Sequence, residues 1–197
     1  MTAYEQAPSQ EKYEKQALDE LRKKPLLAIP TISLLLLSLL AIFSSWYFVL
    51  NGQLSLWAGC LINSVAYYVL FTPAHDASHN AVSSIPWVNK FVFFLVMQGI
   101  LPGNTGKMLM VMHMQHHRFT NEPFDPDFEV AHSFKNAALQ WFFWDSRYLS
   151  FYFKHKEYYP DVNIKQIYLE MAFGYAVIGV LAWHFPLETL VLWFIPG

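Results

Sequence analysis

"LSLWAGCLINSVAYYVLFTPAHDASHN", Leu54 to Asn80, sets how this chain folds. Its first 21 residues, Leu54 to Ala74, carry no charge. At about 1.5 Å rise per residue they make a helix of about 30 Å, the thickness of a bilayer's hydrocarbon layer. Two histidines and an aspartate come directly after, as His75, Asp76 and His79. An apolar run of spanning length that ends in metal-ligating side chains predicts a membrane helix with a site at its polar end.

The flanking sequence extends this reading in both directions. Upstream, Leu26 to Leu50 is a second uncharged run of 25 residues, and "NGQ" (Asn51 to Gln53) makes the turn between the two spans. Residues 1–24 are polar and read as a cytosolic lead-in, with a short amphipathic helix from about Ser9 that uses Tyr13, Leu18 and Leu21. Downstream, Ile85 to Met112 is apolar but broken by Lys90, "LPGNTG" and Lys107, a pattern suited to a re-entrant or interfacial pair of short helices. Ala137 to Phe153 is dense in Trp, Phe and Tyr around Asp145 and Arg147, as at the headgroup level or in core packing. Ile167 to Trp183 is a third span with Glu170 near its start. "HFPLE" then turns, and Thr189 to Gly197 begins a fourth apolar run that stops after nine residues, short of a full crossing.

One membrane domain over 1–197 is therefore expected, with spans at 26–50, 54–74 and 167–183, a polar and interfacial region at 75–166, and an incomplete fourth span at 187–197. Five Lys and Arg fall in the lead-in and eight between 75 and 166, which together are all 13 in the chain. The positive-inside rule then turns the histidine clusters toward the cytoplasm.

Composition removes other classes. The chain is 54% hydrophobic, 18% aromatic and only 14% charged, too apolar for an ordinary soluble domain. A net charge of -2 and the lack of a phosphate-cradling loop leave no basis for binding nucleic acid. The single cysteine, Cys60, lies inside an apolar run, so any metal must be held by nitrogen and oxygen.

His75 and His79 stand four residues apart, on one face of a continuing helix, and Pro73 just before them permits a kink. "HMQHHRFTNEPFDPD", His113 to Asp127, supplies His113, His116 and His117 within an arc of about 100° on a helical wheel. Five imidazoles exceed the four positions of a single tetrahedral zinc site and point to a second metal, with iron, zinc, copper and nickel all compatible with nitrogen ligation. Asp76, Asp125 and Asp127 read as partners that accept the distal N–H of a liganding histidine. The alternative for the three is capping and turn formation, and capping is the favoured role for Asn80 and Asn121. His132, His155 and His184 remain unassigned.

"HDASH" followed by "HMQHHRFTN" and "DPD" resembles the first and second histidine boxes of the membrane fatty acid desaturase and hydroxylase superfamily, to which carotenoid hydroxylases and ketolases are also similar. The resemblance runs from the first span to the start of the fourth. It implies an all-α integral membrane protein in which two transmembrane hairpins carry a cytosolic helical cap. It also implies two non-haem irons, with His75 and His79 as box one and His113, His116 and His117 as box two. The third box of that superfamily has no counterpart, in keeping with the short final run, so a fragment incomplete at its C-terminus is expected.

The same resemblance implies an O2-dependent oxidoreductase of lipid metabolism that desaturates a fatty acyl chain, with carotenoid hydroxylation or ketolation as the alternative. Electrons would come from a separate donor of the ferredoxin or cytochrome b5 type. Rival readings are a bis-histidine haem carrier, which needs paired histidines inside facing spans, and a metal transporter, which needs ionisable residues through mid-span. An inactive fragment or non-catalytic metal-binding membrane protein is the rival outside enzymology.

Overall fold

The computed structural model describes residues 10–21, 23–100, 106–128, 144–160 and 162–197, and among these the regular structure is all helical, with no strand. Three of its helices are long and apolar enough to cross a membrane: α2 (Ile29–Leu50), α3 (Leu56–Ser78) and α7 (Ile164–His184). The others are α1 (Gln10–Leu21), α4 (Pro86–Ile100), α5 (Gly106–Phe119), α6 (Trp144–Lys154) and the four-residue α8 (Pro186–Thr189). The expected breaker "LPGNTG" lies outside the described residues up to Thr105, as do the aromatic stretch before Trp144 and His132. On either side of that breaker stand two separate short helices, α4 and α5, as the interrupted pattern predicts.

Local chemistry sets the helix ends. Pro30 opens α2, where its missing N–H costs nothing. Ser55 caps α3 by accepting the Ala58 N–H at 3.2 Å, and Asn163 caps α7 by accepting from Lys165 and Gln166. Asn80 and Asn121 adopt left-handed backbone, φ 55° and 62°, just past the ends of α3 and α5. After α3, the Ala81 N–H reaches back to the Asp76 carbonyl at 2.8 Å and the Asn80 N–H to that of Ala77, a Schellman-type stop. Asn80 thus caps its helix, whereas the Asn121 N–H turns to the Asp125 carboxylate.

α2 and α3 pack along each other, and α4 packs beside α3. Leu36, Leu37, Leu40 and Phe43 on α2, and Leu169, Phe173, Val180 and Trp183 on α7, stay exposed. Apolar faces of that extent on helices of spanning length meet lipid rather than water. Inside the α2–α3 seam, fully buried Asn63 accepts the Ser45 hydroxyl and donates to the Leu192 carbonyl at 2.8 Å, which ties residues 190–194 onto α3.

α3 continues without a break past Ala74 through Ser78, as the pairing of His75 with His79 requires, and carries His75 beyond the apolar run. The segment after it is clamped. Buried Asn89 of α4 accepts the backbone N–H groups of Val82 and Ser83, both at 3.0 Å, while the Ala28 N–H donates to the Val82 carbonyl at 2.8 Å. α5 is held at its start as well. The Glu170 carboxylate on α7 accepts the Lys107 N–H at 3.3 Å, and Gly106 lies so close to α4 that an added Cβ would sit 3.3 Å from the Phe94 Cα. Glu170 therefore turns inward to the start of the second histidine helix.

Candidate metal centre

His75 stands in the last turn of α3 and His79 is its C-terminal cap, while His113 and His117 are one turn apart on α5. The four rings converge. Centroids lie 4.7 Å apart for His75 and His79, 5.0 Å for His75 and His113, 4.8 Å for His79 and His117 and 4.5 Å for His113 and His117. His113 is the hub, with its Nε2 3.3 Å from that of His79 and 3.1 Å from that of His117. One ring nitrogen from each of the four lies within 4.8 Å of the others.

These separations suit an ion. Four nitrogens held about 2.0–2.1 Å from one metal stand about 3.3 Å apart along a tetrahedral edge. Nitrogens aimed at each other at this distance also repel unless a proton or a cation lies between them. Burial, and then the neighbouring His117, His75, His79 and His116, push His113 down to about 4, which favours the neutral ring over the imidazolium. Burial, and then His75 and His117, also lower His79, against an opposing pull from Asp76. Neutral imidazole is the ligating form, so the donor set fits a metal.

His116 does not join this group. Its Nδ1 faces the two oxygens of Asp125 at 3.0 and 3.1 Å and one oxygen of Asp127 at 3.5 Å. Asp125 is buried and rigid, accepting the Asn121 N–H at 2.9 Å and the Asp127 N–H at 2.8 Å. Both carboxylate oxygens therefore present lone pairs to the ring, which fixes a proton on Nδ1 and leaves Nε2 bare. The expectation that all three α5 histidines turn one way thus divides. His113 and His117 go to the four-ring cluster, and the loop after α5 captures His116. His116, Asp125 and Asp127 also bring one ligand atom each within 4.8 Å of one another.

Asp127 accepts the Tyr148 hydroxyl at 2.9 Å, and burial raises its pKa against the opposing effects of that bond and of His116. Asp76 departs from the expected role. Its carboxylate is 4.0 Å from the His75 Nδ1, too far to hydrogen-bond, and instead accepts the Thr31 hydroxyl of α2 at 2.7 Å. Neighbours on a helix point about 100° apart, so Asp76 turns to α2 when His75 turns to α5. Thr31 and Tyr148 are the residues that sequence reading misses, since a lone Thr in an apolar run and one Tyr among many carry no local signal. His155 stacks on Phe124 and Phe151 with centroids 4.7 and 4.6 Å away, and His184 ends α7.

Beside the cluster opens a cavity of about 920 Å³ whose lining includes His79, His117, Met110, Met114, Phe119 and Tyr159. The fatty acid desaturase family model matches residues 51–197, which contain every residue of the cluster. The chain belongs to the fatty acid desaturase family. No curated protein and no solved structure matches it. The family is one of oxidoreductases that generally use two irons, and together with the three apolar helices it points to a membrane protein.

Proposed function

We propose that this desaturase is a membrane-bound non-haem di-iron oxidoreductase that uses O2 to introduce a double bond into a fatty acyl chain. His75, His79, His113, His116 and His117 are its metal ligands, and Asp125 and Asp127 orient His116. The observation that carries the reading is the convergence of four imidazoles from two helices, with His113 at the spacing of a metal's ligand edge from His79 and His117, beside a cavity with mostly apolar walls.

When bound, the irons would supply the O2 activation and electron transfer that no side chain can provide. The rest falls to the protein. His79 and His117 present the cluster to the cavity, while Met110, Met114 and Phe119 give an aliphatic chain an apolar seat. Regiochemistry depends on how firmly those walls hold the reacting carbons. Asp125, gripped by two backbone N–H groups, keeps the His116 proton on Nδ1 and its Nε2 free to bind metal. Thr31 holds Asp76 and so ties α2 to the end of α3 that carries box one.

Acyl desaturation takes two hydrogens from the chain and reduces O2 to two waters, which requires two further electrons and two protons. A separate ferredoxin or cytochrome b5 type partner supplies the electrons. Two transmembrane hairpins with a cytosolic cap, the histidines facing the cytoplasm, agree with the Lys and Arg distribution.

The test is lipid profiling of a host that expresses the chain, alongside elemental analysis of the protein purified in detergent. New unsaturated acyl chains and about two irons per polypeptide are expected. Unchanged unsaturation with new hydroxy or keto carotenoids would reject the acyl substrate and favour the carotenoid one. Absence of bound metal would reject the metal centre.

A further inference from the structure

Tyr148 lies on α6 with 3% of its surface exposed, and its hydroxyl donates to one oxygen of Asp127 at 2.9 Å. The other Asp127 oxygen is 3.5 Å from the His116 Nδ1. Asp125 alone leaves that ring free to rock, because its two oxygens are almost equidistant from Nδ1, at 3.0 and 3.1 Å. A second carboxylate at the side of the ring removes the ambiguity only if it is itself held. Asp127 sits in the loop after α5 with about a quarter of its side chain exposed, so an anchor from a packed helix is what gives it a fixed direction.

We infer that Tyr148 is a positioning residue for His116, acting through Asp127. The inference rests on the proposed metal centre and adds to it a line of contact, Tyr148 to Asp127 to His116, that joins α6 to the ligand helix. Hydrogen-bond partners behind metal-bound histidines alter affinity by about 10- to 100-fold when removed. Tyr148 stands one contact further out, so a loss of about 3- to 10-fold is expected.

Tyr148→Phe removes a single oxygen and keeps the ring that packs in the core. Two readouts at pH 7.5 decide the matter: cobalt(II) titration followed by its visible absorption, and nitrogen-15 histidine spectra of the metal-free protein, which report the tautomer of His116 and how firmly its ring is held. The wild-type protein should show His116 protonated on Nδ1. Tyr148→Phe should keep that tautomer, which Asp125 holds, but show a shifted and broadened His116 Nδ1 resonance, weaker cobalt binding and an altered cobalt spectrum. Coincidence of both readouts with the wild type, with only a lower unfolding temperature, overturns the positioning role and leaves Tyr148 a packing residue. If the wild-type protein takes up no cobalt, the metal centre fails, and the shift and width of the His116 Nδ1 resonance then decide for or against Tyr148.

Discussion

Replacing Asp125 with Asn tests the metal centre at its most constrained point. The Asp125 carboxylate accepts the backbone N–H of Asn121 at 2.9 Å on one oxygen, that of Asp127 at 2.8 Å on the other, and faces the His116 Nδ1. An amide has one acceptor oxygen, so either orientation of Asn turns an NH2 group toward one of those two N–H donors. A buried N–H left without an acceptor costs about 1–3 kcal/mol. The contacts that survive become neutral instead of charge-assisted, a further loss of about 1 kcal/mol. Asp125→Asn should therefore destabilise the fold by about 2–4 kcal/mol and weaken metal binding by about 10- to 100-fold. Thermal unfolding of the metal-free protein in detergent reads the first effect, and cobalt(II) titration of the same sample well below its transition reads the second. A variant that matches the wild type in both would refute the claim that Asp125 grips the loop and orients His116.

The same geometry leads to three further outcomes. His113→Ala removes the hub of the four-ring cluster, and elemental analysis should show most of the bound metal lost, whereas His184→Ala should retain it. His113 is held down to about 4, so between its ordinary value of about 6.5 and 4 the unfolded chain binds a proton that the folded chain refuses. Stability of the metal-free protein should consequently fall as pH drops through that window, and the slope should flatten in His113→Ala; equal slopes in the two proteins would count against the buried neutral ring. Asn63→Leu strips the Leu192 carbonyl of its side-chain donor and should lower stability by about 0.5–2 kcal/mol. The cobalt spectrum should not change, because Asn63 lies within the α2–α3 seam rather than beside the histidines.

The long-range plan of this desaturase-family chain is legible in its residue order alone. Uncharged runs of spanning length fix where helices long enough to cross a bilayer form, since a backbone in lipid has no other way to satisfy its N–H and C=O groups. The spacing of His75 and His79, and of His113 and His117, fixes which rings share a helical face, because four residues make about one turn. Those pairings are local and therefore readable without a fold. Packing of the helices, by contrast, selects which pairs meet and which carboxylates serve them. His116 is one position from His117 in sequence, yet the loop that brings back Asp125 takes it to a different partner. Asp76 sits between the box-one histidines and still turns away to Thr31, a residue 45 positions upstream. Tyr148 reaches Asp127 across 21 positions, and Glu170 reaches the start of α5 across 63. Periodicity says which way a side chain leaves its own helix, whereas the partner it finds depends on how the helices pack, and that arises from the summed contacts of many residues rather than from any short stretch.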